Sequence, residues 1–217
     1  MKKLLTVVSL VLAGSASFAA APVFNAADTV WVALSSMLVF LMVPGLAFFY
    51  AGLVRKKNVL GTMMHSLIAL AVIGIEWILI GYTMAFGPTI NGLVGNLQYL
   101  LLNGIDMNAI FPGYGIPVYV FLMFQGMFAV ITPALISGAV ADRIKFSSYV
   151  LFILAWGLIV YNPLAHWVWG GGFLTGKALD FAGGTVVHIS SGFSAIVLAL
   201  LLGKRRNYPD GTFQPHS

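Results

Sequence analysis

Cysteine is absent from this chain of 217 residues, which excludes disulfides, thiolate metal sites and cysteine nucleophiles. Charge is scarce. Only 8% of residues are Asp, Glu, Lys or Arg, against about 25% in soluble domains, so an ordinary soluble globular protein is excluded. Acidic residues are the scarcest, six against 11 Lys and Arg. The resulting charge of +5 does not form the basic face that nucleic acid requires, because the cations sit in short clusters between apolar runs. Phosphate cradles are missing, since no Gly-rich segment carries the lysine and spacing of one. No nucleophile elbow accompanies the histidines. His166, Asp180 and His188 are the one conceivable metal set, and they lack the short ligand spacings of metal sites. No enzymatic activity, cofactor, metal or nucleic-acid partner is expected.

What the chain has instead is apolar length: 60% of residues are hydrophobic. A helix crossing a bilayer needs about 20 such residues. Five runs qualify, Val30 to Leu53, Leu60 to Phe86, Pro117 to Val140, Ser147 to Trp167 and Gly184 to Gly203. These runs are long and continuous, unlike the short alternating strands of a membrane barrel. The expected fold is therefore all-α, a polytopic membrane helical bundle. Met1-Lys2-Lys3, a short apolar core and Ser15-Ala16-Ser17-Phe18-Ala19 read as a signal peptide over 1–19, cleaved after Ala19 with Ala20 or Ala21 as alternatives, the rival being an uncleaved signal anchor. Arg55, Lys56, Lys57, Arg143, Lys145, Lys204, Arg205 and Arg206 fall on one side of the spans, and Lys177 on the other. The positive-inside rule makes the rich side cytoplasmic, which puts the mature N-terminus outside and Ser217 inside. The outer loop 87–116 is rich in Gly, Asn and Pro. Leu93 to Leu102 reads as an amphipathic segment lying on the membrane surface.

Ionisable groups inside a bilayer are costly and usually functional, so the few present here are the candidates. Asp180 precedes Gly183 and Gly184 at the start of the fifth span, and His188 follows within it. They lie about 12 Å apart if the segment is helical throughout, too far to grip one small ion together. Asp180 suits an entrance, or a helix cap that holds backbone amides. His188, among Val186, Val187 and Ile189, suits proton relay or guidance of a small neutral molecule, or a bond to a neighbouring helix. Trp169 ends the fourth span before Gly170, Gly171 and Gly172. Its indole is either an interface anchor or a cation binder. Phe124 and Phe128 share a face of the third span, being four residues apart. Glu76 lies in the middle of the second span with no partner identifiable from sequence. His166 is a secondary candidate near the site, and His65 reads as structural.

The segments VPGLAFFYAGLVRKKNVL, FQGMFAVITPALISGAVADRIKFS, HWVWGGG and ALDFAGGTVVHISSG resemble the Amt/Mep/Rh ammonium transporter family, in its bacterial Amt branch. The resemblance covers nearly all of the chain after the signal peptide. It implies an 11-helix fold of two inverted five-helix repeats, assembled as a homotrimer in the bacterial cytoplasmic (inner) membrane with one pore per subunit. This chain would be the first repeat (20–217), with the second absent. By motif match, Trp169, Phe124 and Asp180 would belong to an outer ammonium-recruitment site. Phe128 would be one ring of a two-phenylalanine gate, and His188 the first of a pore histidine pair. Glu76 has no role in the pattern. The expected function is ammonium transport, with the cation recruited at the mouth and ammonia conducted beyond it. The alternatives are a neutral-gas channel of the Rh type, carrying ammonia or carbon dioxide, and an ammonium sensor docking a cytoplasmic PII signalling protein.

Overall fold

The computed structural model describes residues 23–206, 208, 209, 214 and 215. The expected signal peptide and the expected cytoplasmic Ser217 lie outside them. Among the described residues five helices are long and apolar enough to cross a bilayer: α1 Ala26–Gly52, α2 Lys56–Phe86, α3 Val118–Val140, α4 Phe146–Val168 and α5 Gly184–Leu202. They fall on the five apolar runs. Their ends follow local chemistry. Asn25 caps α1 by accepting from the Asp28 amide at 3.1 Å, and Asp28 itself sits in the first turn, where the helix dipole favours a carboxylate. Three helices loosen into π turns, at Trp77–Gly81 in α2, Gly157–Tyr161 in α4 and Gly184–Ile189 at the head of α5. Such turns often mark functional sites.

The centre of the bundle is α3, which packs against α1, α2 and α5, while α2 also packs against α4. Close approach is set by a small residue and by hydrogen bonds, as membrane helices require where lipid is as apolar as protein. A Cβ on Gly126 would lie 2.9 Å from the Trp77 indole, and that indole donates to the Leu122 carbonyl at 3.2 Å. Tyr50 of α1 and Tyr149 of α4 donate to the Leu135 and Pro133 carbonyls of α3, each at 2.9 Å. Ser66 meets Ser137 at 2.8 Å. His65 is structural here: its Nδ1 bonds the Gly61 carbonyl at 2.6 Å, and its ring stands edge-on to Tyr149. By contrast α1 and α5 keep broad exposed apolar faces, including Trp31, Met37, Phe48, Phe193 and Leu200.

The two ends of the bundle differ. One carries a hairpin, β1 Thr89–Ile90 antiparallel to β2 Val94–Gly95, together with the long 87–117 loop. The segment over 93–102, expected to be amphipathic, takes an irregular course with Leu93, Leu97 and Leu101 exposed. It passes through β2 and ends in a tight 3₁₀ turn, Leu100–Leu102. The cause is Thr83, whose hydroxyl donates to the Asn96 carbonyl at 2.6 Å and accepts the Tyr99 amide at 3.1 Å. That pulls the segment onto the end of α2, so Tyr99 and Leu102 pack against the core.

The other end is basic and is organised by Asp142, whose side chain is 2% exposed. Asp142 lies 3.8 Å from both Arg55 and Arg205 and accepts from Asn58. The next residue, Arg143, donates to the Gly203 carbonyl at 3.0 Å and to the Ala139 carbonyl. It thereby grips the last turn of α5.

Candidate functional site

At the hairpin end a cavity of about 600 Å³ opens between α1, α3 and the loop joining α4 to α5. Its wall includes Phe124, Phe128, Trp169 and Asp180. Four residues from three stretches of sequence thus meet in one place. Phe124 and Phe128 stand edge-to-face, with centroids 5.0 Å apart at 81°. Phe128 in turn presents to Trp169 at 6.4 Å and 67°. Half-buried aromatic rings around a cavity offer the negative faces that attract a cation.

Trp169 and Asp180 are fixed to each other. The indole N–H donates to the Asp180 carbonyl at 3.1 Å. The carboxylate Oδ2 accepts the Thr185 and Val186 amides, each at 2.9 Å. Asp180 is therefore the cap of α5, and its charge lies at the positive end of that helix. Oδ1 is buried with no hydrogen-bond partner. The turn after Trp169 needs glycine. A Cβ on Gly170 would run into the Ala85 carbonyl, and Gly171 has φ +91°. The loop is pinned by His166, fully buried, whose Nδ1 donates to the Ala85 carbonyl at 2.9 Å and whose Nε2 meets the Thr89 hydroxyl at 2.8 Å. Both ring nitrogens are occupied, so His166 braces the cavity from behind and does not face it. No group of three metal-binding side chains occurs among the described residues.

His188 does not line the cavity. It lies in the π turn of α5, exposed, with its amide bonded to the Gly183 carbonyl at 2.9 Å. Ala195 follows seven residues on, about two turns down the same helix face. Glu76 is placed apart as well, at 3% exposure, where the π turns of α2 and α4 face each other. Its partner is Asn162, whose amide donates to Oε1 at 2.6 Å. The carboxyl fits because position 81 is glycine, where a Cβ would lie 2.9 Å from Oε2.

Sequence reasoning missed Asn162, and it missed the rest of the aromatic wall: Phe86, Phe111, Tyr114 and Phe121. Phe111 and Phe121 stack at 3.7 Å and 16°. A signal existed in the Phe111-Pro112-Gly113-Tyr114 run of the loop, where aromatics sit among turn residues.

Long apolar helices, broken by π turns and ending in an aromatic cavity with one carboxylate, define a multi-pass helical membrane protein with a small-solute site. The chain belongs to the Ammonium Transporter Family, whose model matches residues 30–217. It is 50% identical over 192 residues to an ammonium transporter of Bacillus subtilis, covering 88% of this chain and 46% of that one. The crystal structure of Candida albicans Mep2 superposes with a TM-score of 0.78 at 37% identity, over 89% of this chain and 44% of that one. A structure described as a sensor Amt protein superposes at 0.76 with 27% identity, over 87% and 47%. The chain spans about half the length of the curated relatives it matches.

Proposed function

We propose that this protein serves ammonium transport, with the cavity at the hairpin end as the recruitment site. The observation that carries the reading is the meeting of Phe124, Phe128, Trp169 and Asp180 around one cavity, in a chain of the Ammonium Transporter Family. Trp169 and Phe124 hold the cation by their ring faces, and Asp180 biases the mouth toward positive charge. Phe128 is the gate ring below. An unpaired cation entering a dry apolar interior faces a cost of tens of kcal/mol, far beyond the roughly 0.5 to 2 kcal/mol of a ring contact. The ion must therefore leave its proton near the mouth and continue as ammonia. His188, on the α5 face beyond the cavity, accepts the role of guiding ammonia or relaying that proton. Glu76 and His166 hold the scaffold.

In this reading the hairpin end is extracellular and the basic end cytoplasmic, in the inner membrane of a bacterium, after removal of a signal peptide over 1–19. Residues 20–217 form one five-helix repeat, and a second, inverted repeat faces α1, α3 and α5. The exposed apolar faces of α1 and α5 support this. Assembly as a trimer and docking of a PII protein on the basic end follow from the same family reading. The likeness to a sensor Amt structure supports a second reading, in which ammonium occupancy is signalled and no flux follows.

Ammonium uptake into proteoliposomes tests the proposal. Trp169→Leu is expected to weaken uptake about two- to thirtyfold at low ammonium, the value of one ring contact, and to spare it at saturation. His188→Ala is expected to slow it at every concentration. Normal uptake and normal discrimination against potassium in both variants would overturn the assignment. Ammonium binding without flux in the unaltered protein would favour the sensor.

A further inference from the structure

Gln125 lines the outer cavity together with Phe121, Phe124 and Phe128. These four residues of α3 fall at i, i+3, i+4 and i+7, one stripe of a helix. Gln125 is the single polar member of the stripe. Rings flank it along the helix: Phe124 and Phe128 stand edge-to-face at 5.0 Å, and Phe121 stacks on Phe111 at 3.7 Å. Its half-buried carboxamide makes no hydrogen bond to another described residue, and its polar atoms reach open space. A polar group set among apolar ones is costly unless it bonds, and this one is turned toward the cavity.

The other polar side chains of the wall are engaged elsewhere. Thr175 accepts the Gly171 amide at 3.1 Å and donates to the Trp167 carbonyl at 3.3 Å. Asp180 gives Oδ2 to two backbone amides, and its Oδ1 is buried away from solvent. Its charge is felt in the cavity, while its oxygens are not offered to an occupant. Tyr114 is 60% exposed on the outer loop.

Ring faces attract any monovalent cation, because the attraction is to charge. An amide oxygen is more selective, since it accepts only from a donor placed along its lone pairs. Ammonium carries N–H donors at tetrahedral corners, so it can face two rings and bond one oxygen at once. Tetramethylammonium has the same charge and no N–H.

We propose that Gln125 is a specificity-determining residue of the recruitment cavity: its carboxamide oxygen accepts an N–H of the cation, so the site selects cations that bear N–H over those that offer charge alone. This role rests on the transport reading, in which the cavity recruits ammonium. The rival role is a side chain that shapes the wall by packing and never touches the cation.

Calorimetric titration of the purified protein tests it, with ammonium chloride and, separately, with tetramethylammonium chloride, which a cavity of about 600 Å³ admits. Gln125→Met keeps the length of the side chain and loses the oxygen. It should weaken ammonium binding roughly ten- to hundredfold, the worth of a hydrogen bond to a charged group, and leave tetramethylammonium binding unchanged. Gln125→Glu retains an acceptor oxygen and should retain the preference for ammonium. Unchanged ammonium affinity in the Met variant would overturn the role. Equal weakening of both cations in that variant would overturn it in favour of packing. So would loss of the ammonium preference in a Glu variant whose melting temperature matches the unaltered protein. Binding of neither cation to the unaltered protein would sink the recruitment cavity itself, and the Gln125 role with it.

Discussion

Asp180 carries two duties that one substitution separates. Its Oδ2 caps α5 through two backbone amides, and its charge faces the cavity. Asp180→Asn keeps an acceptor oxygen and loses the charge. Its thermal unfolding in detergent should match the unaltered protein while uptake at low ammonium falls. Asp180→Ala loses the cap as well and should cost about 1 kcal/mol of stability, lowering the melting temperature. If the Asn variant took up ammonium normally, the carboxylate would be a cap and nothing more. Glu76 invites a similar pair. Glu76→Gln retains an oxygen for the Asn162 amide and should be nearly neutral for stability, whereas Glu76→Ala strands a buried amide at a cost of about 1 to 3 kcal/mol. Melting curves of the two variants decide. At this scale the sequence named Asp180 and Glu76 as unusual, because a carboxylate in an apolar run stands out. It could not name Asn162, which lies 86 residues from Glu76 and meets it only across two packed helices.

The elements are set by apolar length and ended by local chemistry, so all five were legible. The π turns were not, since no residue pattern announces them; they appear where Glu76 and Asn162 must meet and where Asp180 captures two amides at the head of α5. The loop that seats Trp169 depends on backbone approach at Gly170. Gly170→Ala should destabilise the protein by about 3 kcal/mol, the scale of overpacking, because the added Cβ meets the Ala85 carbonyl and backbone cannot step aside. Gly74→Ala, in open space within α2, is the control and should leave the melting temperature unchanged or slightly raised. A Gly170→Ala protein as stable as the control would show that the loop seats Trp169 by other means. The irregular course of the Leu93 to Leu102 segment, a short strand and a tight turn held by Thr83, rests on a tertiary contact invisible to periodicity.

Across the whole molecule, two polar ends frame an apolar middle. Asp142 and Arg143 tie the ends of α1, α3 and α5 together at the basic end. Arg143→Gln removes charged hydrogen bonds to the Ala199 and Gly203 carbonyls at the end of α5. Amides around residues 203–206 should then exchange at least tenfold faster, in line with about 1.5 to 3 kcal/mol for a bond to a charged group. Unchanged exchange measured by mass spectrometry would show that α5 is held by packing alone. The separation of His188 from the outer cavity also belongs to this scale. Sequence spacing placed it about a dozen ångströms beyond Asp180, and the fold puts it on the α5 face that runs toward Ala195.

By itself the sequence determined the number and length of the spans, the sidedness of charge and the short roster of unusual residues, because hydrophobic length and the cost of ionisable groups in a bilayer are local properties. Only the tertiary structure decided which of these residues share a space. Phe124, Phe128, Trp169 and Asp180 converge because α3 lies at the centre and the Gly170 turn folds back on it. His166 and Glu76 are drawn into bracing bonds because buried polar atoms take the partners that packing brings within reach.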